Sequence, residues 1–146
     1  MTMIRNSTAI RCSPEEAFDY LCDMRNELQW NPAAESVEKL TDGPVAVGTR
    51  YRAKWKGGPP LEVTVVGFDR PRMWKTRSHG PIEVAFTARV EPVAEGARVS
   101  IDFDVQPQGW IRLIFPMFLR KLRRDERANM TYMRQALEPS QTGAAP

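Results

Sequence analysis

Glu126 and Asn129 are the residues whose types and positions could do chemistry. Plotted at roughly 100° per residue, Phe118, Leu119, Leu122, Met130, Met133, Ala136 and Leu137 share one arc of a C-terminal helix. Arg120, Arg123, Arg124, Arg127 and Arg134 lie opposite, with Lys121 at the edge, so the segment is amphipathic. Glu126 interrupts the apolar arc between Leu122 and Met130, and Asn129 lies beside it. A carboxylate on an inward face is costly unless it is paired or protonated. Two readings stay open. In one, Glu126 is an acid, base or hydrogen-bonding group in a ligand cavity and Asn129 orients it. In the other, the helix is partly exposed there, or Glu126 pairs with a basic residue of the sheet or with Arg123.

The residues that could complete such a cavity come from strands. Trp30, Tyr51, Trp55, Trp74, Phe86 and Phe103 would give a wide aromatic lining, and Tyr51 adds a hydroxyl. Thr76 and Ser78 share the inferred face of Trp74; Asn6 and Thr8 share that of Ile10. With Phe118, Leu122, Met130 and Met133 from the helix, the set suits a mostly apolar pocket with a few placed polar groups. Plain core packing is the competing account of the aromatics.

The elements that must position these residues are legible from punctuation and alternation. Residues 3–11 read as a first strand. Ser13-Pro14-Glu15-Glu16 starts a helix, with Ser13 as cap, Pro14 in the first turn and Glu16 completing a capping box. A second short helix covers Arg25–Pro32, with Leu28 and Trp30 as its apolar residues. Strands follow at 36–41, 50–56, 61–68, 73–78, 82–90 and 99–105, separated by Gly- and Pro-rich turns such as Gly57-Gly58-Pro59-Pro60. Tyr51, Ala53 and Trp55 alternate with Arg50, Arg52, Lys54 and Lys56, which marks one buried and one wet face. Such a meander needs a cover, and the C-terminal helix supplies it. Pro116 fits that helix's first turn, which makes the preceding GWIRLIF an apolar flap over one end of the cavity.

"SPEEAFDYLCDMRNELQWNP", "GPVAVGTRYR", "EPVAEGARVSIDFDV" and the closing helix together resemble the START-like helix-grip (SRPBCC) superfamily, specifically its polyketide cyclase/dehydrase and lipid-transport family. The resemblance covers nearly the whole chain. It implies an α+β fold: a curved antiparallel sheet of six to seven strands wrapped round a long C-terminal helix, with two short helices after strand 1. It also implies a cavity between sheet and helix. Members of the family carry lipids or hormones or cyclise polyketides, and the fold alone does not choose among those roles. One domain over 1–138 and a flexible tail over 139–146 complete the reading.

Composition narrows the functions. Net charge is +3, with 42% hydrophobic and 27% charged residues, as in an ordinary globular domain. No nucleic-acid-reading motif accompanies the mild basicity, so nucleic acid is not an expected partner. Cys12, Cys22 and the lone His79 do not make a metal set, which needs about four ligands. The thiols read as reduced, and His79 as a solvated turn residue. With no signal-peptide pattern and no run approaching roughly 20 apolar residues, a cytoplasmic location is expected. No phosphate loop, dinucleotide fingerprint or nucleophile motif is present, so no cofactor is expected. Three functions remain: binding of a small hydrophobic or aromatic ligand; a cyclase or dehydratase using Glu126 in acid–base chemistry; and lipid transfer at a membrane surface. The last would use Trp110, Ile111, Leu113, Ile114 and Phe115 beside the basic helix face for a weak peripheral contact. The sequence leaves the oligomeric state open.

Overall fold

A computed structural model describes residues 2–80, 82–107, 109 and 111–138. The chain opens with β1 (Thr2–Ile10), which is followed by α1 (Pro14–Leu21). Ser13 caps α1 by accepting from the Glu16 amide at 3.1 Å, and its hydroxyl donates to the Glu16 carboxylate. The periodic apolar residues Ala17, Phe18 and Leu21 are the ones α1 buries. A 3₁₀ turn (Met24–Asn26) then leads into α2 (Glu27–Trp30).

Six further strands make an unbroken meander: β2 (Ala34–Lys39), β3 (Arg50–Trp55), β4 (Leu61–Asp69), β5 (Met73–His79), β6 (Ile82–Val93) and β7 (Gly96–Pro107). The order β1-β7-β6-β5-β4-β3-β2 is antiparallel throughout. The chain therefore leaves one sheet edge at β1, crosses through α1 and α2, and re-enters at the opposite edge in β2. Register shifts at Val65/Gly67 in β4 and Ala34/Ser36 in β2 mark bulges, which add curl to the sheet. The tight β6–β7 turn needs glycine at Gly96: its φ is 141°, and a Cβ there would come within 2.6 Å of the Ile10 and Cys12 carbonyls.

Register sets the concave face in rows. One runs Val65–Thr76–Phe86–Phe103–Ile4 across five strands, and the next runs Tyr51–Val63–Ser78–Val84–Val105. Helix α3 (Ile111–Leu137) covers this face, about 40 Å long at 1.5 Å per residue. It touches β1 and β7 on one side and α2 on the other. The main core lies beneath its C-terminal half, where Phe18, Trp74, Val99, Ile101, Met130 and Met133 share one buried cluster. Phe18 meets Trp74 edge-on at 5.2 Å between ring centroids, and burying a ring of that size contributes about 1.5–3 kcal/mol.

Three expectations are corrected. Helix α3 begins at Ile111, so Pro116 lies inside the helix and LIF belongs to it rather than to a flap. Proline is tolerated here because both Pro116 and Arg112, whose carbonyl loses its helical donor, are exposed to water. Phe118 is 53% exposed. The inward arc runs instead through Phe115, Leu119, Leu122, Glu126, Asn129, Met130 and Met133, and Phe118 falls beside it. His79 is the exposed last residue of β5 rather than a turn residue. Trp110 and the 139–146 tail lie outside the described residues.

Candidate functional site

Helix α2 is short and is held from several sides. Asp23 caps the preceding 3₁₀ turn through the Arg25 amide, Asn26 donates to the Tyr20 carbonyl at 2.7 Å, and the Tyr20 hydroxyl donates to Gln29. These contacts fix the direction of Glu27. The Trp55 indole N–H donates to Glu27 Oε2 at 2.6 Å. Asn31, one helical turn on, uses its Oδ1 to accept from the Ala33 amide and also hydrogen-bonds the Glu27 carboxylate.

Helix α3 brings Glu126 toward the same place. Asn129 donates to Glu126 Oε1 across a long 3.5 Å, and α2 packs directly on α3. Among the described residues, no cation lies within ion-pair distance of Glu126 or Glu27; Lys121 and Arg124 pair with Asp125, and Arg134 with Glu138. The pairing of Glu126 with Arg123 or with the sheet is therefore not what the structure holds. Both acids keep a minority of their surface accessible. Burial pushes each carboxyl up to about 7; for Glu126 the negative charge of Glu27 adds to this, and the Asn129 amide opposes it. For Glu27 the Trp55 and Asn31 hydrogen bonds oppose the effect of burial. Two interacting carboxyls titrate as a pair, so near neutral pH they hold on the order of one proton between them.

The remaining residues divide. Trp74, Thr76, Ser78, Met130 and Met133 are buried; Trp30, Trp55, Phe86, Phe103 and Leu122 face inward but keep some exposure. Phe86 and Phe103 stack edge to face at 4.9 Å. Tyr51 is completely buried, and its hydroxyl donates to Asp23 at 3.4 Å, away from the two glutamates. Cys12 and Cys22 are free thiols, pushed up to about 11 and about 12 chiefly by burial, which leaves them unreactive. A 410 Å³ depression lined by Arg72, Lys75, Arg89 and their neighbours lies away from these groups, along β5 and β6.

Glu27 and Asn31 were missed by sequence reasoning. The signal was available: Glu27, Trp30 and Asn31 stand at i, i+3 and i+4 and so share a helix face. In a four-residue helix, however, no apolar periodicity shows which face turns inward.

This architecture can be set beside known proteins. A family model described as Polyketide cyclase / dehydrase and lipid transport matches residues 1–138. The chain belongs to that family. Its fold is accordingly of the START-like helix-grip (SRPBCC) kind. A protein from Thermus thermophilus is similar over 99% of this chain and 100% of its own, with TM-score 0.76 and 16% identity. Ara h 8.0201 is similar over 93% of this chain and 97% of its own (TM-score 0.68, 12% identity). DynU16, a putative protein in the dynemicin biosynthetic locus, matches 93% of this chain over 47% of its own length, at TM-score 0.67 and 15% identity. At such identities the likeness concerns the fold alone. Among curated proteins none matches the chain. The family is associated with small hydrophobic ligands, and among the described residues no helix is long and apolar enough to cross a membrane.

Proposed function

We propose that this chain binds a small hydrophobic or aromatic molecule, lipid-like or polyketide-like, between the concave sheet face and α3. The observation that carries this reading is the inward-facing set Trp55, Phe86, Phe103, Leu119 and Leu122, which stays partly open beside two uncompensated carboxyls. Apolar side chains on a concave face that stay partly exposed at the margin of the core are what a ligand would cover. Native mass spectrometry of the purified chain should release a bound small molecule, and lipid or naphthalene-type ligands should raise its melting temperature. A chain that carries nothing and responds to neither class would overturn the reading. A cytoplasmic location belongs to the same proposal, and the free thiols Cys12 and Cys22 support it.

The value near 7 at Glu126 favours a second use of the same site, acid–base turnover of a bound polyketide-like substrate. Glu126→Gln should then abolish turnover while leaving binding in place; unchanged turnover would remove Glu126 from the chemistry.

The outer face of α3 supports a peripheral membrane contact. Leu113 is 83% and Met117 80% exposed, and Arg120, Lys121 and Arg124 follow on the same side of the helix. An apolar tip backed by cations suits an anionic bilayer surface. The chain should float with phosphatidylserine-containing vesicles, and Leu113→Asp with Met117→Asp should abolish flotation. No flotation by the unaltered chain, or flotation indifferent to these changes, would sink the contact.

A further inference from the structure

Glu27 and Glu126 converge from α2 and α3 with hydrogen-bond donors around them but no positive charge. Trp55 and Asn31 serve Glu27, and Asn129 reaches Glu126. On the α2 side, Arg25 is held by both oxygens of Asp23. The arginines of α3 near Glu126, Arg123, Arg124 and Arg127, are exposed. Two desolvated carboxylates that repel each other are a standing cost to the fold, and a cation brought from outside would relieve it.

A separate observation points to an occupant. Thr76 and Ser78 stand on the concave face, each only 7% exposed, and among the described residues no hydrogen bond engages either hydroxyl. Of the described side-chain polar atoms, Asp104 Oδ1 is the one that is both fully enclosed and without a partner. The Thr76 and Ser78 oxygens therefore keep a small accessible surface on the concave side of the sheet. Buried hydroxyls left in that condition await a polar group from a ligand or water.

We propose that the molecule bound under α3 is a base, its protonated nitrogen held between Glu27 and Glu126 and its apolar body lying against Phe86, Phe103 and Leu122. This rests on the ligand-binding reading and narrows it to amines. An ammonium satisfies both acids at once. A neutral lipid or polyketide would leave the acids to share a proton, and an anionic one would be repelled.

The test compares three probes of one shape by calorimetry at pH 7.5 on the full chain: 2-(2-naphthyl)ethylamine, 2-(2-naphthyl)ethanol and 2-naphthylacetate. The amine should bind about tenfold tighter than the alcohol, with the acetate weakest, as charge complementarity in a partly desolvated site requires. In the Glu27→Gln/Glu126→Gln double variant, with folding checked by thermal melting, that preference should shrink to about twofold or less. If the alcohol binds the unaltered chain as well as the amine does, the base falls and the ligand-binding reading stands. If the amine keeps its preference in the double variant, the two acids are not its partners and the inference is again overturned. If none of the three binds, the ligand-binding reading falls with it.

Discussion

Toward its C-terminus α3 presses Met130 and Met133 into a cluster that Phe18, Trp74, Val99 and Ile101 close completely. One to three turns earlier the same inward arc presents Leu119, Leu122 and Glu126, which all keep contact with water. The sheet beneath follows the same division. Trp74 and Ala88 are sealed, whereas Phe86 and Phe103, one row away, stay partly open. Helix α1 explains much of this. Its Phe18 reaches Phe68 and Trp74 and plugs one end of the trough. Helix α2 lies beside it, with Trp30 packed against the same cluster and Glu27 and Asn31 in place of further apolar side chains. One end of the molecule thus holds the fold together, and the other, from Glu126 back to Leu119, stays more open up to the buried cluster of Ile4, Val105 and Phe115. Buried polar groups at a boundary between packed core and open space are where fold stability and function most often conflict.

The sharpest way to break this comparison is to truncate both ends. Met133→Ala removes a side chain that is 2% exposed in the closed cluster, and should cost about 2–5 kcal/mol in chemical denaturation. Leu122→Ala, at the open end of ligand-free protein, should cost less than half of that, because part of the side chain already meets water. Equal costs would mean that the open end is ordinary core.

The closed end was the easier one to read in the sequence. Alternation in β6 and β7, Ser13-Pro14 before α1 and the helical spacing of Met130, Met133 and Leu137 all report burial, and burial is what composition patterns encode. Glu126 was legible as a violation of that pattern. Its partner was not. Glu27 belongs to a helix of four residues, too short to show a period, and its inward direction is set by Trp55 and Asn31 through tertiary contacts. Phe118 fails for the opposite reason. It sits at the margin of the apolar arc, and an apolar residue type alone does not tell a helix flank from its face. The start of α3 at Ile111 escaped notice because Pro116 read as a first-turn residue, although a helix open to water at Arg112 accommodates it five residues in.

The acids give a smaller and more discriminating test. Glu27 and Glu126 ionise near 7 in the folded chain, against a usual 4.5. The folded state therefore holds more protons than the unfolded state between those values, and stability should fall as pH rises from about 4.5 to about 7 and then level off. Glu126→Gln should be more stable than the unaltered chain at pH 8 by about 1–3 kcal/mol, and the advantage should vanish by pH 4. Asp125, Asn129 and Glu27 are the groups that bear on Glu126, and only Glu27 does so from another element. Glu27→Gln keeps an acceptor for the Trp55 indole while removing the charge, so the Glu126 carboxyl, followed by NMR titration, should move down from about 7. A Glu126 titration indifferent to Glu27→Gln would mean that burial alone sets it. The open end would then hold two separate acids rather than one paired site, and a single cation bridging them would lose its geometry.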